Sequence, residues 1–490
     1  MKQVAVAFRI CAEDYDDNFP MSIYPMDSRK ETILMNTRIF CRLCRGWLPV
    51  AIAAAFFLAP VTVSAGKPPP PPPPPLPEVT FTAVNIGSGG RVAAINATGT
   101  IIGTANLPNV GSTAFVLEPE DVNGDGKPEW FKDDGKGGNA LLKPLPGIAD
   151  MGHGETLGTT GACDINASGQ IVGWHSYTAL NDWNDGPWQY EAAILWTKNG
   201  GTYTPTLLAR WGRAIGINNA GNVVGYVNHA LLYDPTDPDD WEDVANVPFI
   251  IVPERDTAGI VCWFKDEHGA PNGDGPDGIT DLMVELAVRV DLGYDGVSYP
   301  WPGSEATHVT ADLRVFSGGG IVYPDFTDLD GDGNPWFADA DSDGVNDLLK
   351  PFPAGSFATT PSPNGQLAAG GIDTAAALFD ITTSPPELCT NLGKLSSDEV
   401  RTTALGVNDA AWVVGESYKH IKKGWSYSHY YTGLFWKGGK MSVFSTLLSN
   451  TAVSAPLPKV INASGIVAGT ATAGGSPTMF VAFPSPPLSP

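Results

Sequence analysis

The sequence predicts an all-β protein, a β-propeller-like repeat array of seven blades with Asp/Gly-rich loop insertions. Three observations support this fold class. One hairpin motif recurs along the chain, an aromatic-rich apolar segment follows most copies, and 56 glycines and 43 prolines in 490 residues are typical of a domain with many turns. A repeat of about 50 residues indicates an array or a propeller rather than one enzyme-like core.

Seven copies of the motif are recognisable. In chain order they begin at Ile95, Ile165, Ile217, Val309, Pro361, Val407 and Ile461. Five are clear, whereas the copies from Val309 to Ser317 and from Pro361 to Ala369 lack the Ile-Asn pair. Four of the six intervals are 46 to 54 residues long, which suits a blade of three or four strands with its loops. If the two degenerate copies arose by chance, the array would have six blades or be open.

Each copy is expected to fold as strand, turn and strand. In the first copy, the Asn96 side chain can hydrogen-bond to the backbone two residues on and so begin a turn. Gly99 suits the left-handed conformation that closes a hairpin loop. The apolar pair Ile101 and Ile102 restarts a strand, and Gly103 ends it where a neighbouring backbone can approach closely.

The two ends of the repeat region are expected to meet. Val79 to Ile86 should pair with Met479 to Phe483 in the last blade, because closing the ring removes exposed sheet edges. An open solenoid would instead leave these two segments far apart.

The N-terminal region is predicted to contain a targeting segment and a linker. Residues 35–65 have the basic, apolar and small-residue regions of a secretory signal peptide, and the acidic, polar residues 1–34 form an additional extension. Residues 66–78 include an unbroken proline run that favours a stiff polyproline II linker. The repeat domain spans residues 79–485. Either Met35 is the true start, or residues 1–34 are a genuine cytoplasmic extension.

The chain is acidic, with a formal charge of −24 at pH 7. The low Lys and Arg content argues against nucleic-acid binding, because no basic stripe is present to meet phosphates. The mature protein is expected to be a monomer without a membrane span, located outside the cell, on its surface or in the periplasm. It would keep Cys163, Cys262 and Cys389, an odd number that allows one disulfide or only free thiols.

Three acidic insertions predict calcium sites. Their spacing D-x-[DN]-x-D-G matches the first half of a calcium loop, in which alternate residues direct hard oxygen ligands inward and a glycine permits the sharp turn. The candidate ligands are Asp121, Asn123, Asp125 and Glu129 in the first insertion, Asp277 and Asp281 in the second, and Asp328, Asp330, Asp332, Asp339, Asp341, Asp343 and Asp347 in the third.

The third insertion is the strongest of these candidates, since two loops abut there and share Asp339. The alternative for each loop is an Asp/Gly-rich turn without a metal. The Trp-Phe pairs of the insertions, such as Trp130-Phe131, are interpreted as packing anchors rather than as a ligand site.

The motif [AG]-I-N-x-x-G-x-V-V-G, followed by an aromatic A-F-L-W strand, resembles the bacterial extracellular repeats called the HAF family. The insertions, with W-F-x-D and D-G-x-N-D-L-[LM], are similar to the acidic inserts of such proteins. The resemblance covers roughly residues 79 to 485, and Ala411 departs from it by replacing the turn glycine of the sixth copy. It implies a propeller-like fold and secretion, and it supplies no activity and no catalytic residues.

One segment of the chain is both basic and aromatic. It contains Lys419, His420, Lys422, Lys423, Tyr427, His429, Tyr430 and Tyr431. On an acidic protein such a segment suits an anionic sugar, and the alternative is a solvated loop between strands.

The expected function is that of a secreted, calcium-stabilised repeat protein that binds a glycan or a protein at the cell surface. The sequence contains no G-x-S-x-G elbow, no H-E-x-x-H and no glycine-rich phosphate loop. One alternative is an extracellular polysaccharide lyase or hydrolase, which paired carboxylates outside the calcium loops would favour. Another is a purely structural surface protein, since fold alone does not choose among these functions.

Overall fold

The computed structural model contains seven four-stranded antiparallel sheets that close into a ring, so the predicted seven-bladed β-propeller is confirmed. It describes residues 79–108, 110–149, 156–180, 187–230, 244–255, 261–263, 282–286, 305–317, 319–327, 334–338, 346–423 and 426–487. The predicted extension, signal peptide and proline linker lie outside the described residues.

The strands are numbered in chain order. They are β1 Thr80–Ser88, β2 Gly90–Ile95, β3 Ile101–Leu107, β4 Gly111–Leu117, β5 Leu142–Pro144, β6 Thr156–Ile165, β7 Ile171–Leu180, β8 Pro187–Asn199, β9 Thr202–Ala209, β10 Gly212–Ile217, β11 Val223–Ala230, β12 Val244–Ile251, β13 Glu254–Arg255, β14 Val261–Cys262, β15 Met283–Glu285, β16 Ala306–Val309, β17 Val315–Ser317, β18 Gly320–Val322, β19 Leu349–Pro351, β20 Ser356–Pro361, β21 Leu367–Ile372, β22 Ala375–Asp380, β23 Glu387–Gly393, β24 Arg401–Val407, β25 Val413–Lys423, β26 Ser426–Lys437, β27 Lys440–Val443, β28 Ser454–Ile461, β29 Val467–Ala473 and β30 Ser476–Ser485. A 3₁₀ helix spans Phe444–Leu447.

The blades follow the chain order of the strands. Blades 1 and 2 are β2–β5 and β6–β9, and blade 3 is β10, β11, β12 and β15, with β13 and β14 forming a separate two-stranded sheet. Blades 4, 5 and 6 are β16–β19, β20–β23 and β24–β27. Blade 7 is β28, β29, β30 and, as its outermost strand, β1.

Each blade is an antiparallel meander, so its connections alternate between the two ends of the sheet. The first–second and third–fourth connections lie on one side of the ring, which we call the lower face. The second–third connection and the link to the next blade lie on the opposite side, the upper face. The three insertions, residues 118–141, 252–282 and 323–348, all join third and fourth strands and therefore belong to the lower face.

The hydrophobic core is divided among the interfaces between neighbouring sheets. Between blades 2 and 3, for example, Val172 and Leu195 pack with Val223 and Phe249. Burying one such side chain stabilises the fold by about 1.5–3 kcal/mol. Because these contacts lie between blades, each blade depends on its neighbours for its stability.

Strand β1 closes the ring as predicted. It pairs antiparallel with β30, beginning with Thr80 opposite Ser485. Asn450 holds the other edge of β1, since its Nδ2 donates to the Ala83 carbonyl at 2.8 Å and its Oδ1 accepts the Ala83 N–H at 3.1 Å. Both ends of the repeat domain are thereby fixed in one sheet.

All seven copies of the motif form the expected turn between first and second strands. The residue at the glycine position has a positive φ between 55° and 90° in every copy, namely Gly99, Gly169, Gly221, Leu313, Gly365, Ala411 and Gly465. Leu313 and Ala411 adopt this conformation although the left-handed region costs a residue with a Cβ about 1–2 kcal/mol. The two degenerate copies are therefore true blades and not chance matches.

The first strand of every blade contains a β-bulge. Its backbone there lies close to the second strand, which explains why the motif ends in a small residue. In blade 1, a Cβ on Gly103 would lie 2.0 Å from the Arg91 carbonyl oxygen. In blade 5 the turn is one residue longer than the motif predicts, so Gly370, and not Ala369, occupies this position. A Cβ on Gly370 would lie 2.0 Å from the Phe357 carbonyl oxygen.

The motif asparagines form hydrogen bonds around the lower end of the ring. The Oδ1 accepts the backbone N–H groups two and four residues on, which for Asn96 are those of Thr98 at 3.1 Å and Thr100 at 3.0 Å. The Nδ2 donates to the backbone carbonyl at the equivalent position of the next blade. These donations run from Asn96 to Asn166, Asn166 to Asn218, Asn218 to Thr310, Asn408 to Asn462, and Asn462 back to Asn96, at 2.8 to 3.2 Å. We call this arrangement the asparagine ring.

Arg314 takes the place of the missing asparagine between blades 4 and 5, where the first of the two degenerate copies lacks it. Its nearly buried guanidinium donates to the Gly365 carbonyl at 2.9 Å and to the Ile381 carbonyl, both in the region of blade 5. Asp312 accepts from the Nε of the same guanidinium at 2.9 Å and balances its charge. The Thr310 hydroxyl replaces the amide oxygen of asparagine as acceptor, taking the Arg314 N–H at 3.1 Å.

Replacing a ring asparagine should destabilise the whole propeller. Asn462→Ala removes the acceptor for the Ser464 and Ile466 N–H groups and the donor to the Asn96 carbonyl. Because buried polar groups then lack partners, we expect the free energy of unfolding to fall by about 3 kcal/mol. Chemical denaturation monitored by tryptophan fluorescence measures this loss.

Ser464→Ala is the matched control in the same turn. Ser464 is exposed, and the variant keeps the backbone N–H that bonds to Asn462. We expect a change below about 0.5 kcal/mol. Equal losses in the two variants would contradict the role assigned to the asparagine side chain.

Candidate functional site

The first acidic insertion forms a compact loop on the lower face. Two backbone hydrogen bonds close it, from the Glu120 N–H to the Glu129 carbonyl at 3.1 Å and from the Glu129 N–H to the Glu120 carbonyl at 2.7 Å. Within this loop, carboxylate oxygens of Asp121, Asp125 and Glu129 all lie within 4.8 Å of one another. Three of the four predicted ligands in this insertion are thus brought together.

Local backbone hydrogen bonds hold the acidic side chains in place. Asp121 accepts the Gly124 N–H at 2.7 Å and the Gly126 N–H at 2.9 Å. Asn123, the fourth predicted ligand, accepts the Asp125 N–H at 2.8 Å. Gly124 and Gly126 have φ values of 81° and 82°, a conformation that favours glycine and lets the loop turn sharply.

The loop geometry is compatible with a hard divalent cation. Two oxygens that each lie about 2.4 Å from one ion are at most about 4.8 Å apart, because calcium–oxygen distances are roughly 2.3–2.6 Å. The oxygens of Asp121, Asp125 and Glu129 satisfy this limit. Carboxylate and amide oxygens are also the ligand types that calcium prefers.

A second acidic turn follows directly and was missed from the sequence. Asp133 accepts the Gly135 N–H at 2.9 Å, and Asp134 accepts the Lys136 and Gly138 N–H groups at 2.7 and 2.8 Å. These backbone hydrogen bonds lower the pKa of Asp134 below its ordinary value. The sequence signal was the Asp-Asp-Gly run, which lacks the alternation of a calcium loop.

Of the predicted ligands in the other two insertions, only Asp347 lies within the described residues. Asp347 is exposed, and its backbone N–H donates to the Ala338 carbonyl at 2.7 Å. The remaining candidates lie outside the described residues, namely Asp277, Asp281, Asp328, Asp330, Asp332, Asp339, Asp341 and Asp343. Calcium at those loops stays a prediction.

A tryptophan anchors each insertion to the turn of its own blade, whereas the phenylalanine beside Trp130 is 41% exposed, so in the first insertion only the tryptophan of the predicted pair is a packing anchor. Trp130 Nε1 donates to the Gly99 carbonyl at 2.7 Å, and Trp263 Nε1 donates to the Gly221 carbonyl at 2.8 Å. In the third insertion, Trp336 Nε1 donates in the same way to a carbonyl in the turn of blade 4 at 3.1 Å. The accepting residue is always the one with positive φ, so each insertion is tied to the asparagine ring.

Two buried asparagines fix the end of the first and third insertions. Asn139 Nδ2 donates to the carbonyls of Trp130 at 2.8 Å and Ile86 at 3.0 Å. Asn346 Nδ2 donates equivalently to the carbonyls of Trp336 at 2.7 Å and Leu286 at 3.3 Å. The sequence signal was the shared N-x-L-L-K-P segment before the fourth strand, which sequence reasoning had noted only in part.

A partly buried ion pair with aromatic neighbours lies at the upper end of blades 2 and 3. Arg213 of β10 donates to both carboxylate oxygens of Glu191 of β8, from Nη2 to Oε1 at 2.6 Å and from Nε to Oε2 at 3.0 Å. The guanidinium lies 5.1 Å from the Trp174 ring centroid, and Tyr226 Oη donates to Glu191 at 3.4 Å. Burial alone would lower the pKa of Arg213, but Glu191 holds it above its ordinary value.

Glu305 adds a second carboxyl group to this cluster. Burial raises the pKa of Glu305, the charge of Arg213 opposes the rise, and the charge of Glu191 adds to it. The charges of Glu191 and Glu305 therefore interact, although the sequence showed no carboxylate pair here. They come from different blades and are 114 positions apart, so no local spacing reveals them.

The first strands of blades 2 and 4 carry three titratable side chains with shifted pKa values. Burial raises the pKa of Asp164 to about 7, although Asp164 accepts the N–H groups of Ile165 at 2.8 Å and Ile217 at 3.0 Å. Burial also raises the pKa of Cys163 to about 11 and lowers that of His308 to about 4. Cys163 and Cys389 are free thiols.

The basic, aromatic segment forms a two-stranded ribbon on the upper face. β24 pairs with β25 only as far as Tyr418, and β27 pairs with β26 only from Leu434 to Lys437. Beyond these residues β25 and β26 pair only with each other, from Lys419 opposite Tyr430 to Lys422 opposite Tyr427. We call residues 418–422 together with residues 427–431 the blade 6 ribbon. It is a projecting hairpin and not the solvated irregular loop of the alternative interpretation.

One face of the blade 6 ribbon is a row of aromatic rings. It carries Tyr418, His420, Lys422, Tyr427, His429 and Tyr431, which are directly opposed in the register. The Tyr418 ring stacks on His429 at 5.5 Å between centroids with 13° between planes, and Tyr418 Oη and His429 Nδ1 are 2.5 Å apart. The His420 ring meets Tyr427 edge-on at 4.9 Å.

No family model matches the chain, and no curated protein matches it. Among solved structures, a Trypanosoma rangeli sialidase in complex with sialic acid is similar over 72% of this chain, with 8% sequence identity and a TM-score of 0.27. The similar region spans 56% of the sialidase chain, little more than half of its length.

Within the part of the chain that the structure describes, no helix has both the length and the apolar character needed to cross a membrane.

The buried carboxyl group of Asp164 should make stability depend on pH. Its folded-state pKa of about 7 exceeds the ordinary value of 3.8, so the folded protein keeps a proton that the unfolded chain releases. The stabilising contribution is therefore complete below about pH 4 and is lost as pH rises through about 7. We expect Asp164→Asn to become more stable relative to the unchanged protein between pH 5 and pH 8, by at most about 3 kcal/mol.

Denaturant unfolding at both pH values measures this difference. Asp373→Asn, which replaces an exposed carboxylate in a turn, is the control for general effects of pH. A stability difference for Asp164→Asn that is the same at pH 5 and pH 8 would contradict the assignment.

Proposed function

We propose that this chain is a secreted, calcium-stabilised β-propeller that binds a glycan or a protein at the cell surface. Binding is assigned to the upper face and calcium to the acidic insertions of the lower face. The proposal separates the two roles by side of the ring, so each can be tested without the other.

The observation that carries the binding role is the distribution of exposed apolar side chains. Of the eleven large hydrophobic residues that are exposed among the described residues, seven lie on the upper face: Val110, Trp211, Val400, Ile421, Tyr427, Tyr430 and Tyr431. Exposed apolar and aromatic groups concentrated on one side are typical of an interaction surface. Function in propellers is carried by such connecting loops rather than by the sheets.

The lower face is organised for stability instead. The asparagine side chains of the ring accept hydrogen bonds from the backbone N–H groups of their turns and donate to the neighbouring blade. The tryptophan anchors bind the insertions to the same turns. A cation held by Asp121, Asp125 and Glu129 would offset the mutual repulsion of three clustered carboxylates. The first insertion then acts as a stabilising clamp on blade 1.

An extracellular lyase or hydrolase has less support than a binding protein. Two carboxyl groups whose charges interact, Glu191 and Glu305, would favour an enzyme, but Glu191 is bound through both oxygens by Arg213. A carboxylate in a bidentate ion pair is a poor general base, because the guanidinium stabilises its ionised form. A purely structural role leaves the exposed aromatic residues of the upper face without an explanation.

A glycan array probed with and without calcium tests the proposed binding role. We expect a defined set of glycans to retain the mature chain in calcium, with the signal reduced in chelator only as far as folding is reduced. Circular dichroism of the same samples separates unfolding from loss of binding. If the folded protein binds no glycan, and cross-linking at the cell surface also captures no protein, the proposal is wrong.

Chelation should lower the melting temperature of the purified protein. Extracellular calcium sites often have dissociation constants of roughly 10⁻⁴–10⁻³ M. At a free calcium concentration ten times that constant, one site stabilises the fold by about 1.4 kcal/mol. We expect the double variant Asp121→Asn, Asp125→Asn to lose part of the calcium-dependent shift in a thermal scan.

Glu387→Gln is the control variant, since Glu387 is exposed on an edge strand away from the acidic loops. It should keep the full calcium-dependent shift. A melting curve that chelator leaves unmoved in the unchanged protein would show that the loops are turns without a metal.

A further inference from the structure

We infer that the blade 6 ribbon is the binding site for an acidic polysaccharide, with the aromatic face stacking on sugar rings and Lys422 meeting carboxylate or sulfate groups. The inference rests on the proposed function and deepens it, because it assigns one element of the upper face and one chemical class of ligand.

The ribbon exposes more apolar surface than its position in the fold requires. Tyr427 is 55% exposed, Tyr431 49% and Ile421 44%. The ribbon projects beyond the four-stranded sheet, so both of its faces meet solvent. A two-stranded ribbon is marginal in isolation, and aromatic rings that lie open along it are typical of a surface that a ligand covers.

The arrangement of the rings suits an extended chain of sugars. Residues that alternate along a strand share one face at a spacing of about 7 Å, so the rings follow the ribbon as a continuous row. Tyrosine and histidine combine an apolar ring face, which packs on the C–H groups of a pyranose, with a polar tip that can hydrogen-bond to hydroxyl groups. Tyr418 and His429 stack almost parallel and stiffen this surface before any ligand arrives.

The charge of the ribbon selects an anionic ligand. Residues 417–432 include three lysines and no Asp or Glu, on a chain whose formal charge is −24. Lys419 pairs with Asp398 at 3.3 Å, which fixes its position at the base of the ribbon. Lys422 is exposed on the aromatic face, opposite Tyr427. A neutral glycan would gain nothing from this local reversal of charge.

A polysaccharide fits the ribbon better than an acidic protein does. Protein partners anchor through large apolar side chains that enter desolvated pockets. The ribbon is two strands wide and open on both sides, so it offers a flat row of rings rather than a pocket. Flat aromatic surfaces match the broad faces of sugars, which contribute many weak contacts along a chain.

Binding of the folded mature chain to soluble polymers tests the inference. The probes are hyaluronate, which carries carboxylates, dextran sulfate, which carries sulfates, neutral dextran, and poly-L-glutamate as a protein-like polyanion. Isothermal titration in calcium-containing buffer of low ionic strength measures the affinities. We expect binding to hyaluronate or dextran sulfate, with the stronger of the two identifying the anionic group, and much weaker binding to neutral dextran and poly-L-glutamate.

Variants of the ribbon should weaken this binding without unfolding the protein, because the altered side chains are exposed. We expect Tyr427→Ala with Tyr431→Ala to weaken binding at least about tenfold, a change of about 1.4 kcal/mol. Lys422→Gln should weaken it about threefold at low salt, and this effect should vanish in high salt because exposed charges are screened. Tyr427→Phe should retain most of the affinity, since the ring is kept.

Two variants of the lower face are matched controls. Phe131→Ala removes an aromatic ring that is 41% exposed, and Lys136→Gln removes an exposed charge in the first insertion. Both should bind as the unchanged protein does, and melting curves verify that all variants fold.

The outcomes separate the inference from the proposed function. If the acidic polymers bind but the ribbon variants retain full affinity, the ribbon assignment is overturned while the proposed function stands. Equal binding to poly-L-glutamate, or to neutral dextran, overturns the ligand class. If no polymer binds and the glycan array is also blank, both proposals fail for glycans.

Discussion

The side-chain amide of the motif asparagine is the interaction on which the rest of the structure depends. In Asn408, which is fully buried, the Oδ1 accepts two N–H groups of its own turn and the Nδ2 crosses to the carbonyl of Asn462. An amide offers an acceptor with two lone pairs and a donor within one short side chain. Turn and blade interface therefore form together, since a buried amide that keeps only one of these partners is unfavourable. A hydroxyl keeps the acceptor but does not reach the next blade, which is why Arg314 has to supply the donor in blade 4.

The asparagine ring makes the two faces of the propeller unequal. On the lower face the turn amides are saturated, and the tryptophan of each insertion bonds to the residue with positive φ in the turn. The insertions on this side are thereby held against the turns, and their acidic loops can lie close to the asparagine ring. On the upper face the blade 6 ribbon exposes its rings to solvent. The stability of one side leaves the other side free to vary in shape, which is the arrangement a binding protein needs.

The repeat allowed much of the fold to be predicted, whereas contacts between distant residues had no local signal. The glycine and asparagine positions predicted the turns, the seven blades and the closure by β1, because each depends on residues within one copy of the motif or on its ends. The degenerate copies were harder, since Leu313 holds the glycine conformation without being glycine and the turn of blade 5 has one residue more. In the first insertion the alternation of acidic residues predicted the cluster of Asp121, Asp125 and Glu129. The interblade donors of the asparagine ring, the pair of Arg213 with Glu191 and the clamp made by Arg314 join residues 22 to 366 positions apart, and no spacing rule reveals them.

The central claim is that hydrogen bonds protect the lower face and that the upper face binds the ligand. Hydrogen–deuterium exchange of the folded chain tests this most directly, when mass spectrometry follows it with and without a saturating acidic polysaccharide. The account predicts that peptides covering the turns at residues 96–100, 166–170, 408–412 and 462–466 exchange slowest of all and do not change when the ligand is added. It predicts new protection confined to the upper face, centred on residues 418–431. Rapid exchange at the asparagine turns, or ligand protection centred on those turns, would contradict it.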